Sequence, residues 1–268
     1  MPNDTPAFDR SIADAYHRRL VPLIFDDYAR DLARRIDVPE GGRVLEIACG
    51  TGALTRHLRT CLPAGTSLVS TDLNPGMLEA ARANLGDPDD IEFRAVDGTA
   101  LPFESGSFDA VVCQFGVMFY PDKGAGYREA VRVLKPGGTF LFNVWDSHET
   151  NRFAGRVHET VVAMFPENPP AFLHAPFSYH DIGEISDTLR EAGFSEVRAT
   201  VLPGESRADS ARDVAIALVE GSPLASQFED ATARKEALET VHAALRETFG
   251  SGPVSAPMQS IAFAAARP

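Results

Sequence analysis

Five positions carry the chemistry that the spacing of this chain allows: Gly50, Gly52, Asp72, Asp97 and Gln114. The glycines close the run Val44-Leu45-Glu46-Ile47-Ala48-Cys49-Gly50-Thr51-Gly52, after which Ala53-Leu54-Thr55-Arg56-His57-Leu58 starts a helical pattern. Strand, glycine turn and helix open a βαβ unit. With no Cβ in the way, a ligand can approach the backbone of that turn closely. The N–H groups at the start of the helix can receive an anionic group. Asp72 ends a second strand, Ser67 to Asp72, 20 residues past Gly52. That spacing suits an acid accepting hydrogen bonds from the two hydroxyls of a ribose. The set points to a nucleoside-containing cofactor across the carboxyl ends of the two strands.

The elements that position these residues alternate. Crossover helices are predicted at 53–62 and from Asn74 to about Gly86, and a third strand at Ile91 to Val96, ending at Asp97. The run Phe108 to Phe115 is continuously apolar around Val111, Val112 and Cys113, as a strand covered on both faces should be. A helix from about Gly124 to Leu134 stops at Lys135-Pro136-Gly137-Gly138, and Thr139 to Trp145 forms a fifth strand. This alternation implies a parallel sheet with right-handed crossovers and ligands beyond its carboxyl edge. Asp72, Asp97 and Gln114 all fall on that edge.

The flanks read differently. Residues 1–10 are polar, with two prolines, and are expected to be mobile. Ile12, Tyr16, Leu20, Ile24, Tyr28 and Leu32 are spaced by fours, so residues 1–36 form a helical cap, broken or kinked at Pro22. Tyr16 there either packs into the core or closes over the cofactor. In the main domain, 37–268, residues 146–180 form a lid-like insert with a helix at 151–165 and a long proline-rich, aromatic loop. A further helix spans His180 to Gly193 and a strand Glu196 to Leu202. A helical insert covers 205–250, and a last strand runs from Pro257 to Ala266.

Composition narrows the function. The 268 residues hold 25 basic against 38 acidic side chains, a net charge of −13, which argues against nucleic acid as the main partner. Three cysteines, Cys49, Cys61 and Cys113, show neither a disulfide framework nor zinc-ligand spacing, and no metal site is expected. No signal-peptide pattern and no run of about 18 apolar residues is visible, so a cytoplasmic setting without a membrane span is expected.

Several cofactors compete for the glycine turn. A dinucleotide site wants a third glycine, and here the position three after Gly52 is Thr55. A P-loop is excluded because no Gly-Lys-Ser/Thr follows. S-adenosylmethionine needs a carboxylate for its ribose and an acceptor for its adenine amine, with no pyrophosphate to cradle. Asp72 and Asp97 meet those needs.

The run Glu46 to Gly52 resembles the first motif, acid-x-G-x-G-x-G, of class I S-adenosylmethionine-dependent methyltransferases, with Ala48 where many members have glycine. Asp72, the run Asp97-Gly98-Thr99-Ala100-Leu101-Pro102-Phe103, and Leu134-Lys135-Pro136-Gly137-Gly138 extend the match over about residues 40–146. Together they resemble the branch that includes ubiquinone- and menaquinone-biosynthesis enzymes and many small-molecule methyltransferases. The resemblance implies a doubly wound, mostly parallel seven-stranded α/β sheet with an antiparallel last strand and helical additions. It implies S-adenosylmethionine as methyl donor and S-adenosylhomocysteine as product. It also implies roles. Glu46 would orient the turn and the amino-acid end of the cofactor. Ala48, Gly50 and Gly52 would lie against the methionine part and ribose. Asp72 would bind the ribose, with Leu73 and Met77 beside the adenine. Asp97, Gly98 and Thr99 would hold the adenine amine, and Gln114 and Phe115 would face the sulfonium.

Such a transfer is an in-line displacement that asks the protein mainly to align donor and acceptor and exclude water. A base is needed only if the acceptor keeps its proton, so no catalytic residue is assigned. His148, His174 and His180 flank the lid and are candidate bases, with His17 and His57 in the helices before it. Phe119, Tyr120, Trp145, Phe153, Phe165, Phe172, Phe177 and Tyr179 could line a pocket for a flat or apolar small molecule. Two other readings stand beside this one: an NAD-dependent oxidoreductase, and a non-catalytic S-adenosylmethionine-binding module.

Overall fold

The computed structural model describes residues 10–268, and the expected mobility of the N-terminal residues lies outside that range apart from Arg10, which opens the first helix. Strands β1 (Arg43–Ile47), β2 (Ser67–Asp72), β3 (Ile91–Ala95), β4 (Phe108–Gln114), β5 (Leu134–Trp145), β6 (Ser195–Ala208) and β7 (Val254–Ala266) form one sheet in the order 3-2-1-4-5-7-6. Strands β1 to β5 pair in parallel, and β7 runs antiparallel to both β5 and β6. The chain reverses direction across the sheet between β1 and β2 on one side and β4 on the other. Ligands bind at such a switch point.

Helices cover both faces. On one, Leu32 of α2 (Asp26–Arg34) and Leu54 and Leu58 of α3 (Ala53–Cys61) pack on Val44, Leu68, Val112 and Leu141. On the other, Tyr127 and Ala130 of α5 (Lys123–Val133) and Ile185 and Leu189 of α7 (Ile182–Glu191) pack on Val111, Phe140 and Phe142. Successive residues of a strand face opposite sides, so Val111 and Val112 serve different layers. Helix α4 (Pro75–Asn84) starts where Asn74 caps it, accepting from the Gly76 N–H at 2.8 Å.

Three regions depart from the sequence expectations. The N-terminal helix is continuous: α1 (Arg10–Ala15) leads through a π-helical segment, Tyr16–Phe25, into α2. The wider π turn accommodates Pro22, whose missing N–H would break an α-helix. Strand β6 is twice the expected length, because Pro203 to Ala208 pair with Gln259 to Val254 of β7 beyond the sheet edge. The helical part of the insert therefore begins later, with α8 (Ala211–Val219) and α9 (Ala231–Phe249). Strand β5 starts at Leu134 rather than Thr139. Residues 146–180 hold α6 (Arg152–Met164) as expected, and in the loop after it Leu173 and Phe177 are buried.

Candidate functional site

A cavity of about 470 Å³ lies over the carboxyl ends of β1, β2 and β4. Its floor is the turn after β1. Gly50 and Gly52 take φ of 55° and 88°, which only glycine adopts without strain. Asp72 locks that turn to β2: its carboxylate accepts from the Gly50 N–H at 2.8 Å and the Asn74 N–H at 2.9 Å. Burial pushes the Asp72 carboxyl up from its usual range, and these backbone donors pull it back. Four lone-pair positions on the carboxylate leave acceptors for two hydroxyls.

Glu46 sits beneath the turn, 1% exposed. Its Oε2 accepts from Ser70 Oγ and Thr55 Oγ1, each at 2.7 Å, while Oε1 has no partner. Burial pushes this carboxyl up to about 7 against those two hydrogen bonds. Oε1 is thus a buried acceptor left open beneath the turn. At the end of β3, Asp97 Oδ1 accepts from the Thr99 N–H at 2.8 Å and Thr99 Oγ1 at 2.7 Å, which leaves Oδ2 for a ligand.

Two side chains hold unusual backbone at the middle of the cavity. Ala48 has φ of 56° and Phe115 φ of 50°. Such non-glycine conformations cost about 1–2 kcal/mol each and persist where the surroundings over-determine them. For Phe115 the surroundings are visible. Its N–H donates to Asn143 Oδ1 at 3.2 Å, and its ring stacks on Trp145 with centroids 3.9 Å apart and planes 8° from parallel. Phe25 meets Phe115 edge-on at 5.4 Å, and Tyr16 stacks on Phe25 at 5.3 Å. Gln114 Nε2 donates to the Phe25 carbonyl at 3.0 Å, tying the π-helical segment to β4.

Of the residues expected at the site, Tyr16, Ala48, Gly50, Asp72, Leu73, Met77, Asp97, Gly98, Gln114 and Phe115 face the cavity. Glu46, Gly52 and Thr99 do not: Glu46 lies behind the turn, Gly52 caps the start of α3, and Thr99 supports Asp97. The N-terminal helices and the helical insert 210–249 are where the sequence places part of a substrate pocket. It does not single out Leu20, Ile24 and Phe25 of the π-helical segment, or Leu218 of α8 with Ser222 and Pro223 just beyond it, which all line the cavity. The first three share a face by their spacing, a legible signal. The other three come from a distant insert, and nothing in their spacing marks them. Phe119, Tyr120, Trp145, Phe172 and Phe177 line the cavity, whereas Phe153, Phe165 and Tyr179 do not. No histidine lines it among the described residues. His17 Nδ1 lies 3.0 Å from Thr51 Oγ1, and His57 Nε2 lies 2.7 Å from Asp26 Oδ1. Cys49 and Cys113 are buried, and burial pushes the Cys113 thiol up to about 12, so neither is a nucleophile. No cluster of histidine, cysteine or acid could hold a metal among the described residues.

Fold and site together define an α/β protein with a cavity at the switch point of its sheet, acidic at one end and apolar at the other. Comparison with known proteins says which. Residues 45–142 match the family described as Methyltransferase domain. The chain is 31% identical over 209 residues to "Demethylmenaquinone methyltransferase" of Clavibacter sepedonicus, across 73% of this chain and 84% of that one. It is 32% identical over 196 residues to an uncharacterized Mycobacterium tuberculosis protein, across 66% and 67%. Among solved structures it shares the fold of Phosphoethanolamine N-methyltransferase 2 of Haemonchus contortus in complex with S-adenosyl-L-methionine. The TM-score is 0.60 at 16% identity, over 96% of this chain and 56% of that one. A putative methyltransferase of Bacillus halodurans matches at TM-score 0.58 and 19% identity, over 90% and 99%. The chain belongs to the class I S-adenosylmethionine-dependent methyltransferase family, and it is an enzyme of that kind.

Proposed function

We propose that the cavity holds S-adenosylmethionine along its Asp72–Asp97 side and a small, largely apolar acceptor against its aromatic side. One observation carries this reading: a single chamber has carboxylates at one end and, from Phe25 through Phe115, Trp145, Phe172 and Phe177, almost only hydrocarbon at the other. When bound, S-adenosylmethionine supplies a methyl group on a positively charged sulfur, activated for in-line displacement. Asp72 would hold the ribose and Asp97 the adenine amine, while Glu46, behind the turn, would orient the turn through Ser70 and Thr55. Ala48, Gly50 and Gly98 would lie close against the cofactor, with Leu73 and Met77 beside the adenine.

The chain's own part in the reaction is alignment and dehydration. Phe115 and Trp145 form a rigid surface at the ends of β4 and β5, where donor and acceptor would meet. The π-helical segment closes over it through Gln114 and Phe25. Among the described residues, the cavity's titratable side chains are Asp72, Asp97, Cys49, Tyr16 and Tyr120. Burial raises both phenols, so they stay protonated and are poor bases. The acceptor must then bring a nucleophile that is already unprotonated or readily ionised. A flat, apolar ring compound fits, and the name of the Clavibacter relative supports one. The net charge of −13 supports a small molecule over a nucleic acid. A cytoplasmic setting fits the three free thiols, and no described helix is long and apolar enough to cross a membrane.

Calorimetric titration with S-adenosylmethionine and with NADH tests the cofactor assignment. Stoichiometric binding of the first and no binding of the second is expected. A preference for NADH would overturn it.

A further inference from the structure

His148 and His174, which flank the lid in sequence, meet His158 of α6 away from the cavity. The rings of His148 and His158 lie 4.4 Å apart between centroids and 19° from parallel, and those of His158 and His174 lie 6.3 Å apart at 30°. The three come from separate places: the turn after β5, the middle of α6 and the loop that follows it. His148 makes two contacts toward the cavity wall. Its Nε2 lies 2.9 Å from the Leu173 carbonyl oxygen. A carbonyl only accepts, so Nε2 carries the ring proton. Its ring lies against Phe177, with centroids 4.6 Å apart. Leu173 and Phe177 both face the cavity, and Phe177 stacks on Trp145 at 5.9 Å. One imidazole therefore holds both ends of the Leu173–Phe177 turn.

We propose that His148 is a positioning residue that clamps the Leu173–Phe177 turn against Trp145 and so shapes the acceptor end of the cavity without touching the acceptor. What that wall receives rests on the methyl-transfer reading; the clamp rests on the contacts alone.

The stack makes the clamp sensitive to acid. The charged and titratable groups facing His148 are His158 and Glu159 from α6 and His174 from the turn itself. Burial, then His158 and His174, hold the His148 imidazole down at about 4, against the pull of the Leu173 carbonyl and Glu159. His158 is lowered as well, by burial and by His174. The closed turn thus favours neutral rings. As pH falls below the ordinary histidine value of 6.5, an open turn takes up protons more readily. Its population rises by up to about tenfold per pH unit for each proton until the closed form also titrates. Charged His148 and His158 would repel across 4.4 Å, which drives the clamp and the turn it holds away from α6.

Trp145 is the only tryptophan in the chain, so its emission reports on this wall. The test titrates the protein from pH 8 to 4.5, alone and saturated with S-adenosylhomocysteine, and follows emission together with amide hydrogen exchange. Expected is a change in emission below pH 6.5, with exchange rising over residues 171–179 and unchanged in β1 and β4. His148→Ala is expected to speed exchange over 171–179 about tenfold at pH 7.5 and to leave S-adenosylhomocysteine affinity within about twofold. His148→Gln keeps a donor for Leu173 without a titratable ring, so it should restore slow exchange and flatten most of the acid response. An emission profile without an acid transition, or 171–179 amides that exchange as slowly in His148→Ala as in the unaltered protein, overturns the clamp. Failure of S-adenosylhomocysteine to bind would instead sink the methyl-donor assignment, and the titration of the protein alone still decides the clamp.

Discussion

The Asp72 carboxylate accepts a hydrogen bond from the Gly50 backbone N–H at 2.8 Å, so the acid ending β2 is fastened to the turn ending β1 before any ligand arrives. The same group would then need no reorganisation to take the ribose. Asp72→Ala is expected to raise the Kd for S-adenosylhomocysteine by about 10- to 100-fold, the loss of one or two hydrogen bonds to a charged acceptor. Asp72→Asn keeps one acceptor for Gly50 and should lose less. Calorimetry on both variants measures this, and tight binding by the alanine variant would remove Asp72 from the ribose site.

Glu46 gives stability a pH dependence. Its folded value of about 7 lies above its ordinary value of 4.5, so the folded protein binds the proton more tightly than the unfolded chain does. The stability this contributes is complete below 4.5 and is lost as pH rises toward 7, by roughly 3 kcal/mol for a shift of that size. Glu46→Gln has no charge to bury. It is expected to raise Tm at pH 8 and hardly at pH 4.5, while weakening S-adenosylmethionine binding about tenfold or more. Scanning calorimetry at the two pH values checks the first part, and an equal gain at both would contradict it.

Ala48 carries left-handed backbone strain in the glycine turn, with φ of 56°. Ala48→Gly relieves about 1 kcal/mol of it, partly offset by the extra freedom of glycine in the unfolded chain. A rise in Tm of about 2 °C or less is expected, with cofactor affinity retained. Gly116→Ala should do the reverse. A Cβ there would lie 2.6 Å from both Ala48 Cβ and Cys113 Sγ, in the packed middle of the site. A loss of about 2 kcal/mol or more is expected in denaturant titration. A neutral Gly116→Ala would mean the turn shifts more easily than its packing indicates.

The Gln114–Phe25 hydrogen bond fastens the N-terminal helical segment to the end of β4. Gln114→Ala removes this donor to the Phe25 carbonyl, at a cost of about 1 kcal/mol. Hydrogen exchange over residues 16–25 should quicken about fivefold, with the amides of β1 and β4 unchanged. Uniform quickening would point to general destabilisation instead.

The parts of the site that the sequence showed are those whose spacing has a local cause. Gly50 and Gly52 interrupt an apolar strand, and Asp72 closes the next one at a fixed distance along the chain. Strand, turn and helix are short-range events, so a linear reading finds them. Other features depend on pairing across long stretches of chain. The second half of β6 holds Pro203, Gly204, Glu205 and Arg207, with Pro203, Glu205 and Arg207 exposed, and only the partner strand 254–259 makes it a strand. The π turn at Tyr16–Phe25 arises from Pro22 within a helix that is otherwise amphipathic, and no composition rule separates it from a kink. His158 sits in mid-helix with nothing local to mark it, yet it completes the stack whose other members the lid sequence supplied. Leu218, Ser222 and Pro223 reach the cavity from about 100 residues beyond Phe115, carried there by packing of α8 against the π-helical segment.

The most direct measurement is a crystal structure of the protein with S-adenosylhomocysteine. Expected are both ribose hydroxyls within hydrogen-bond distance of the Asp72 carboxylate, the adenine beside Asp97 and Met77, and the sulfur facing the Phe115–Trp145 stack. A nucleoside bound elsewhere, or one whose ribose makes no contact with Asp72, would contradict the assignment of this cavity as the methyl-donor site.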